Sequence, residues 1–153
     1  MTDAAGEALA AALALLAEHH VLTLASHDAN GPWAAPVFYA LDGESLVFVS
    51  SPRSRHGLAL AADPRCAGAV HAPATDWQAI AGVQLAGTVQ LLDGDEAALA
   101  RARYERRFPF VAGGDATLAA ALQRSRWYRL AIDEVQVVDN RRGLGARQRW
   151  QRA

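Results

Sequence analysis

Residues 80–92 alternate over a dozen positions. The odd positions Ala81, Val83, Leu85, Gly87, Val89 and Leu91 are apolar or glycine, and the even positions include Gln84, Thr88 and Gln90. Successive side chains of a strand point to opposite faces, so this segment reads as one long strand with a core face and a polar face. Its neighbours read as strands as well: Val21–Ala25, Trp33–Leu41, Leu46–Ser50, Ala67–Ala72 and Trp127–Val138, the last with a phase slip at Asp133-Glu134. Trp33–Leu41 is apolar on both alternating faces, as in a strand buried from two sides. Turn signals separate them, His27-Asp28-Ala29-Asn30-Gly31-Pro32 after the first and Asp42-Gly43 after the second.

Helices are fewer. Leu9, Leu13 and Leu16 stripe an alanine-rich helix over residues 3–19. Pro52–Ala62 reads as a second helix, stopped by Asp63-Pro64 because a residue before proline avoids the helical region. Asp93 with Glu96 forms a capping box for a third that runs to Arg107, and a fourth covers Asp115–Arg124. Gly143 and Gly145 mark a loop before a tail that ends at Trp150. With hairpin connections and too few helices to cover a parallel sheet, the expected class is mainly β (α+β). The expected architecture is an antiparallel six-stranded split β-barrel with peripheral helices, in a single domain over residues 1–153.

Composition narrows the function classes. Hydrophobic residues make up 52% of the chain, which excludes disorder, and a chain of 153 residues buries about 68–70% of its unfolded surface without staples. Cys66 is the only cysteine, so no internal disulfide framework exists and a cytoplasmic setting is expected. No apolar run is long enough to span a membrane, and no Arg or Lys precedes Arg53, unlike a secretory signal. All fifteen cations are arginine, twelve of them in residues 101–153, whereas residues 1–52 carry six acids and no Arg. A nucleic-acid face on that basic third ranks last, because an acidic N-terminal helix packed nearby neutralises much of it.

Catalytic templates are absent. There is no G-x-S-x-G elbow, H-E-x-x-H, P-loop or G-x-G-x-x-G, and the five histidines and one cysteine show no metal spacing. Cys66 reads as a small buried thiol and His19-His20 as a helix C-terminus. The segment Ser50-Ser51-Pro52-Arg53-Ser54-Arg55-His56 stands apart. A strand ends in two hydroxyls and a helix starts within a few residues, so free backbone N–H groups, Ser51, Ser54 and the Arg55 fork lie together. The local physics supports two readings equally, a phosphate site or a helix start capped by Ser51 or Ser54 with solvated arginines.

The chain resembles the pyridoxamine 5′-phosphate oxidase-like split-barrel flavoproteins. Val49-Ser50, then Ser54-Arg55-His56, then Asp63-Pro64-Arg65 follow that family's order and spacing, with His56 where the family has lysine. It is most similar to the YhbP-like branch through Val37-Phe38-Tyr39, Ser54-Arg55-His56, Gly82-Val83-Gln84, Arg106-Arg107-Phe108-Pro109, and Asp139-Asn140 with Gly143-Leu144-Gly145. The resemblance implies that Ser50, Ser51, Ser54, Arg55 and His56 hold the phosphate of FMN. It further implies that Pro36, Val37 and Phe38 lie along the flavin ring, that Gln84 faces the ring or a partner subunit, and that the segment from Asn140 reaches the partner's site. A homodimer with flavin at its interface follows. So does an FMN-dependent oxidoreductase of a small substrate, with nicotinamide as electron donor and no catalytic side chain assigned. The alternative is a non-catalytic module holding FMN or haem, with His19, His20 and His71 as the haem-side candidates.

Overall fold

The computed structural model describes residues 3–153. Its elements run α1 (Ala4–Glu18), β1 (Val21–Asp28), β2 (Gly31–Phe38), β3 (Ala40–Asp42), β4 (Ser45–Ser50), α2 (Arg55–Ala62), β5 (Arg65–His71), β6 (Ala81–Leu92), α3 (Gly94–Arg107), α4 (Ala116–Gln123), β7 (Arg126–Asp139) and β8 (Arg147–Gln151). All ladders are antiparallel, in the order β2-β1-β5-β6-β7-β4-β3, with β8 also paired to β7. The mainly β class with peripheral helices is therefore observed. The six-stranded count is not: the sheet has eight strands and is open, with β2 beside β4 and no ladder between them.

The long strand explains this layout. β6 pairs along its whole length with β7, and β7 then divides its other edge, giving Arg126–Ala131 to β4 and Glu134–Val138 to β8. Ala86 pairs with Glu134 but Gly87 with Ile132, so Asp133 is the extra residue of a β-bulge, at the phase slip read from the sequence. The bulge keeps Leu130, Ile132, Val135 and Val137 all inward, where they are buried with Val83, Leu85, Leu22, Leu24 and Phe48. Each such aliphatic side chain contributes about 1.5–3 kcal/mol relative to exposure. α1 closes the open end of this core with Ala12, Leu15 and Leu16. A second core lies under α3, where Tyr104 and Phe108 meet Ala40, Val47 and Leu92.

Four sequence expectations change. Trp33–Leu41 is two strands, because Tyr39 and Ala40 are both buried and interrupt the alternation. The Tyr39 hydroxyl donates to the Leu16 carbonyl at 2.6 Å and its amide to the His20 carbonyl. Nor is β2 buried from two sides: it is an edge strand, with Phe38 47% and Trp33 43% exposed. Asp93 makes no side-chain cap for α3; its carboxylate takes the Arg126 guanidinium at 2.5 Å instead, and Glu96 turns toward Arg129. The tail around Trp150 is the strand β8, with Trp150 packed against the main core.

The charge asymmetry is met in part within the fold. Asp42 accepts both Arg129 and Arg103, and Glu44 accepts Arg152, so acids from the N-terminal third pair with the arginines of the C-terminal third. No helix among the described residues is long and apolar enough to cross a membrane.

Candidate functional site

Ser50 ends β4 and α2 begins five residues later, with Ser51–Ser54 folded into a turn between them. The Ser54 amide donates to the Ser51 carbonyl at 3.1 Å and the Ser54 hydroxyl to the same oxygen at 2.6 Å. Ser54 is also the N-cap, its Oγ accepting from the Gly57 amide at 3.1 Å. Gly57 lies so close to this turn that a Cβ there would stand 2.5 Å from the Ser51 carbonyl oxygen. The Ser51 hydroxyl accepts from the Arg53 amide. What remains are the amides of Arg55 and His56 in the first turn of α2, which have no protein partner among the described residues.

Two side chains extend from the same turn. His56 Nε2 lies 2.8 Å from the Ser50 hydroxyl, which donates when the nitrogen is bare and accepts when it carries the proton. Half-burial holds the His56 imidazole below its ordinary pKa, because desolvation disfavours the charged ring. Arg55 is not loosely solvated: its guanidinium stacks 4.0 Å from the Trp33 ring centroid and donates to the Asn30 carbonyl at 3.3 Å. Neither Arg55 nor Arg53 makes a salt bridge among the described residues. Asp28, Asn30, Arg53, Arg55 and Leu58 border a surface cavity of about 530 Å³. Ser50, Ser51, Ser54 and His56 thus share the β4–α2 turn, a cradle beside which the Arg55 guanidinium is held on Trp33 and Asn30.

The other expected site residues lie elsewhere. Pro36 and Phe38 point to the outward face of the sheet, and Val37 points into the core. Gln84 is exposed on that outward face, in a row running Pro36, Thr23, Ala69, Gln84, Gln136 and Arg149 across six strands. Asn140 braces a turn: its Nδ2 donates to the Trp77 carbonyl at 2.8 Å and its Oδ1 accepts from the Gly145 amide at 3.0 Å. No hydrogen bond among the described residues joins Gln84 or Asn140 to the cradle. Cys66 is buried, and desolvation pushes its thiol up to about 12, which leaves no nucleophile there.

Trp33 and Asn30 were not among the expected site residues, and no local signal marks them, because the Arg55 stack is made 22 residues away. Gln136 and Arg149 carry no local signal either, because Gly143 and Gly145 make the segment that follows read as a tail.

The family profile for pyridoxamine 5′-phosphate oxidase matches residues 8–139. The chain belongs to the pyridoxamine 5′-phosphate oxidase family. Within it, the UPF0306 protein YhbP of Escherichia fergusonii is 32% identical over 149 residues, which cover 96% of this chain and 95% of that one. Among solved structures, a haem-binding protein of Mycobacterium smegmatis superposes with a TM-score of 0.77 at 30% identity over 99% of this chain. The chain spans only 59% of that protein's length. An FAD-binding protein of Mesorhizobium loti shares the fold at 20% identity, with a TM-score of 0.66 over 81% of this chain and 88% of that one.

Proposed function

We infer that this pyridoxamine 5′-phosphate oxidase family member is an FMN-binding flavoprotein that works as a homodimer on a small substrate, with nicotinamide as the electron donor. The observation that carries the reading is the cradle. Two first-turn amides without protein partners, the Ser50 hydroxyl, an imidazole and, beside them, an arginine that makes no salt bridge suit the oxygens of a phosphate. Arg55 arrives pre-oriented by Trp33, which lowers the entropy lost when it grips an anion.

When bound, FMN supplies hydride or electron transfer. The chain's own residues bind and orient it. Ser50, Arg55 and His56 hold the phosphate, and the outward residues Pro36, Phe38 and Gln84 border the ring. That outward face is built for cover: Ala25, Ala34, Ala67, Ala69 and Ala86 make it flat, and Val21, Phe38 and Ile80 leave it apolar at one end. A second copy seated there shields the ring from water. The single buried thiol and the absence of disulfides are in keeping with a cytoplasmic protein.

A haem reading has one observation of its own beside the 30% identical haem-binding relative. On the outward end of β5, His71 Nδ1 lies 3.0 Å from the Ala72 carbonyl; donating to it leaves Nε2 bare, the state an iron ligand needs. The absorption spectrum of the protein after incubation with FMN or haemin, then gel filtration, separates the two. Retained flavin bands with no Soret band support the flavin reading. A Soret band lost in His71→Ala, with no retained flavin, replaces it with haem binding.

A further inference from the structure

The outward row ends in three polar side chains that touch in series. Arg149 Nε donates to Gln136 Oε1 at 2.7 Å, and Gln136 Nε2 donates to Gln84 Oε1 at 2.6 Å. Register dictates the series: Gln84 is the ladder partner of Gln136, and Gln136 of Arg149, on three adjacent strands. The polarity is dictated as well. A guanidinium has five donors and no acceptor, so Gln136 must turn its carbonyl to Arg149 and its NH2 to Gln84. Gln84 then has to accept through Oε1. Its own NH2 is left without a protein partner among the described residues, on the border of a cavity of about 590 Å³ that Glu134, Trp150 and Ala67 also line.

We propose that Arg149, acting through Gln136, is a positioning residue that locks Gln84 as a hydrogen-bond donor toward the outward face. The ring bound there must then present an acceptor, a carbonyl oxygen or an unprotonated ring nitrogen, to Gln84 Nε2. An amide is otherwise free to present either end, because its two ends differ little in shape. The arginine removes that freedom from two strands away. The identity of the ring rests on the flavin reading; the direction of the relay does not.

The relay makes an unusual demand on Gln136, which touches no ligand. In Gln136→Glu the new carboxylate still accepts from Arg149, but it has no hydrogen to give Gln84. The Gln84 amide therefore turns over, donates to the carboxylate and presents its oxygen outward. In Arg149→Met the chain keeps both amides but loses its direction.

The test uses the full chain, 15N-labelled, first without ligand. In Gln136→Glu the Gln84 side-chain NH2 pair is expected to move downfield and exchange more slowly than in wild type, since it becomes hydrogen-bonded. Unchanged Gln84 side-chain signals overturn the proposal. FMN titration by fluorescence quenching follows. Gln136→Glu and Gln84→Glu are each expected to weaken FMN about tenfold, through the loss of one donor. Arg149→Met should weaken it about twofold, because half of the Gln84 amides then face the wrong way. The double variant Gln136→Glu with Gln84→Leu should bind no worse than Gln84→Leu alone. FMN binding to Gln136→Glu as tight as to wild type overturns the relay. Failure of wild type to bind FMN instead overturns the flavin reading, and the ligand-free spectra then decide the relay by themselves.

Discussion

On the inward face of β6, Val83 is 1% exposed and Leu85 4%, closed in by side chains from β5, β7 and α1. On the outward face of the same strand, Gln84 is exposed and its row neighbours are Ala69 and Gln136. One residue of displacement separates a position whose volume and polarity are fixed by packing from one that packing leaves open. The fold is written on the first face. The proposed ligand uses the second, together with the cradle at the start of α2.

The largest expected effect lies where the two faces differ most. Val83→Asp places a carboxylate in the main core and should cost about 3 kcal/mol or more, whereas Gln84→Ala should unfold at the wild-type denaturant midpoint within about 0.5 kcal/mol. Chemical denaturation of the two variants measures this directly, and equal midpoints would break the comparison. Ala67→Arg comes next. The side chain is exposed on the outward face, so the monomer should keep its stability, but a bulky cation there should weaken the dimer by about 1.4 kcal/mol or more, tenfold in Kd. Light scattering at micromolar protein reads this. A wild-type monomer would show that the outward face is not covered by a second copy.

A smaller effect is set by pH, with opposite signs for folding and for binding. Burial lowers the His56 pKa, so the unfolded chain takes the proton more readily, and folding stability should fall as pH drops below about 6.5. A bound phosphate favours the imidazolium, so FMN binding takes up a proton. The FMN affinity of wild type should therefore rise over the same range relative to His56→Lys, whose charge does not change there. Parallel profiles for the two proteins would remove His56 from the phosphate site. Smallest is the fork in which Arg65 holds Asp63, with N–O distances of 2.8 and 3.1 Å. With the Arg65 amide, which also donates to Asp63, it keeps the Asp63 carboxyl down to about 2, and Arg65→Ala should raise it toward the ordinary carboxylate range by NMR. The fork is exposed, so little change in stability should accompany that shift.

The same contrast explains what the sequence makes legible. β6, the bulge at Asp133 and the Ser54 cap are local, set by alternation or by a side chain reaching its own neighbours, and each appears in the residues themselves. The break at Tyr39 is not local: it goes with a buried tyrosine whose hydroxyl donates to the Leu16 carbonyl of α1. Asp93 carries the sequence of a cap yet pairs with Arg126, because β7 brings a guanidinium that outbids the helix N-terminus. In the cradle the serines, Arg55 and His56 are legible as a set. The Trp33 stack that orients Arg55 is not, nor is the Arg149–Gln136–Gln84 series, since both are made by chain segments distant in sequence.

The proposed function stands on a phosphate held at the start of α2. It is tested most directly by titrating wild type and Arg55→Ala with FMN and with riboflavin, which lacks the phosphate. Loss of the guanidinium should weaken FMN by about 1.5–3 kcal/mol, ten- to a hundredfold or slightly more, and leave the weaker riboflavin binding nearly unchanged. FMN bound as tightly by Arg55→Ala as by wild type would contradict the claim and reduce the segment to a capped helix start.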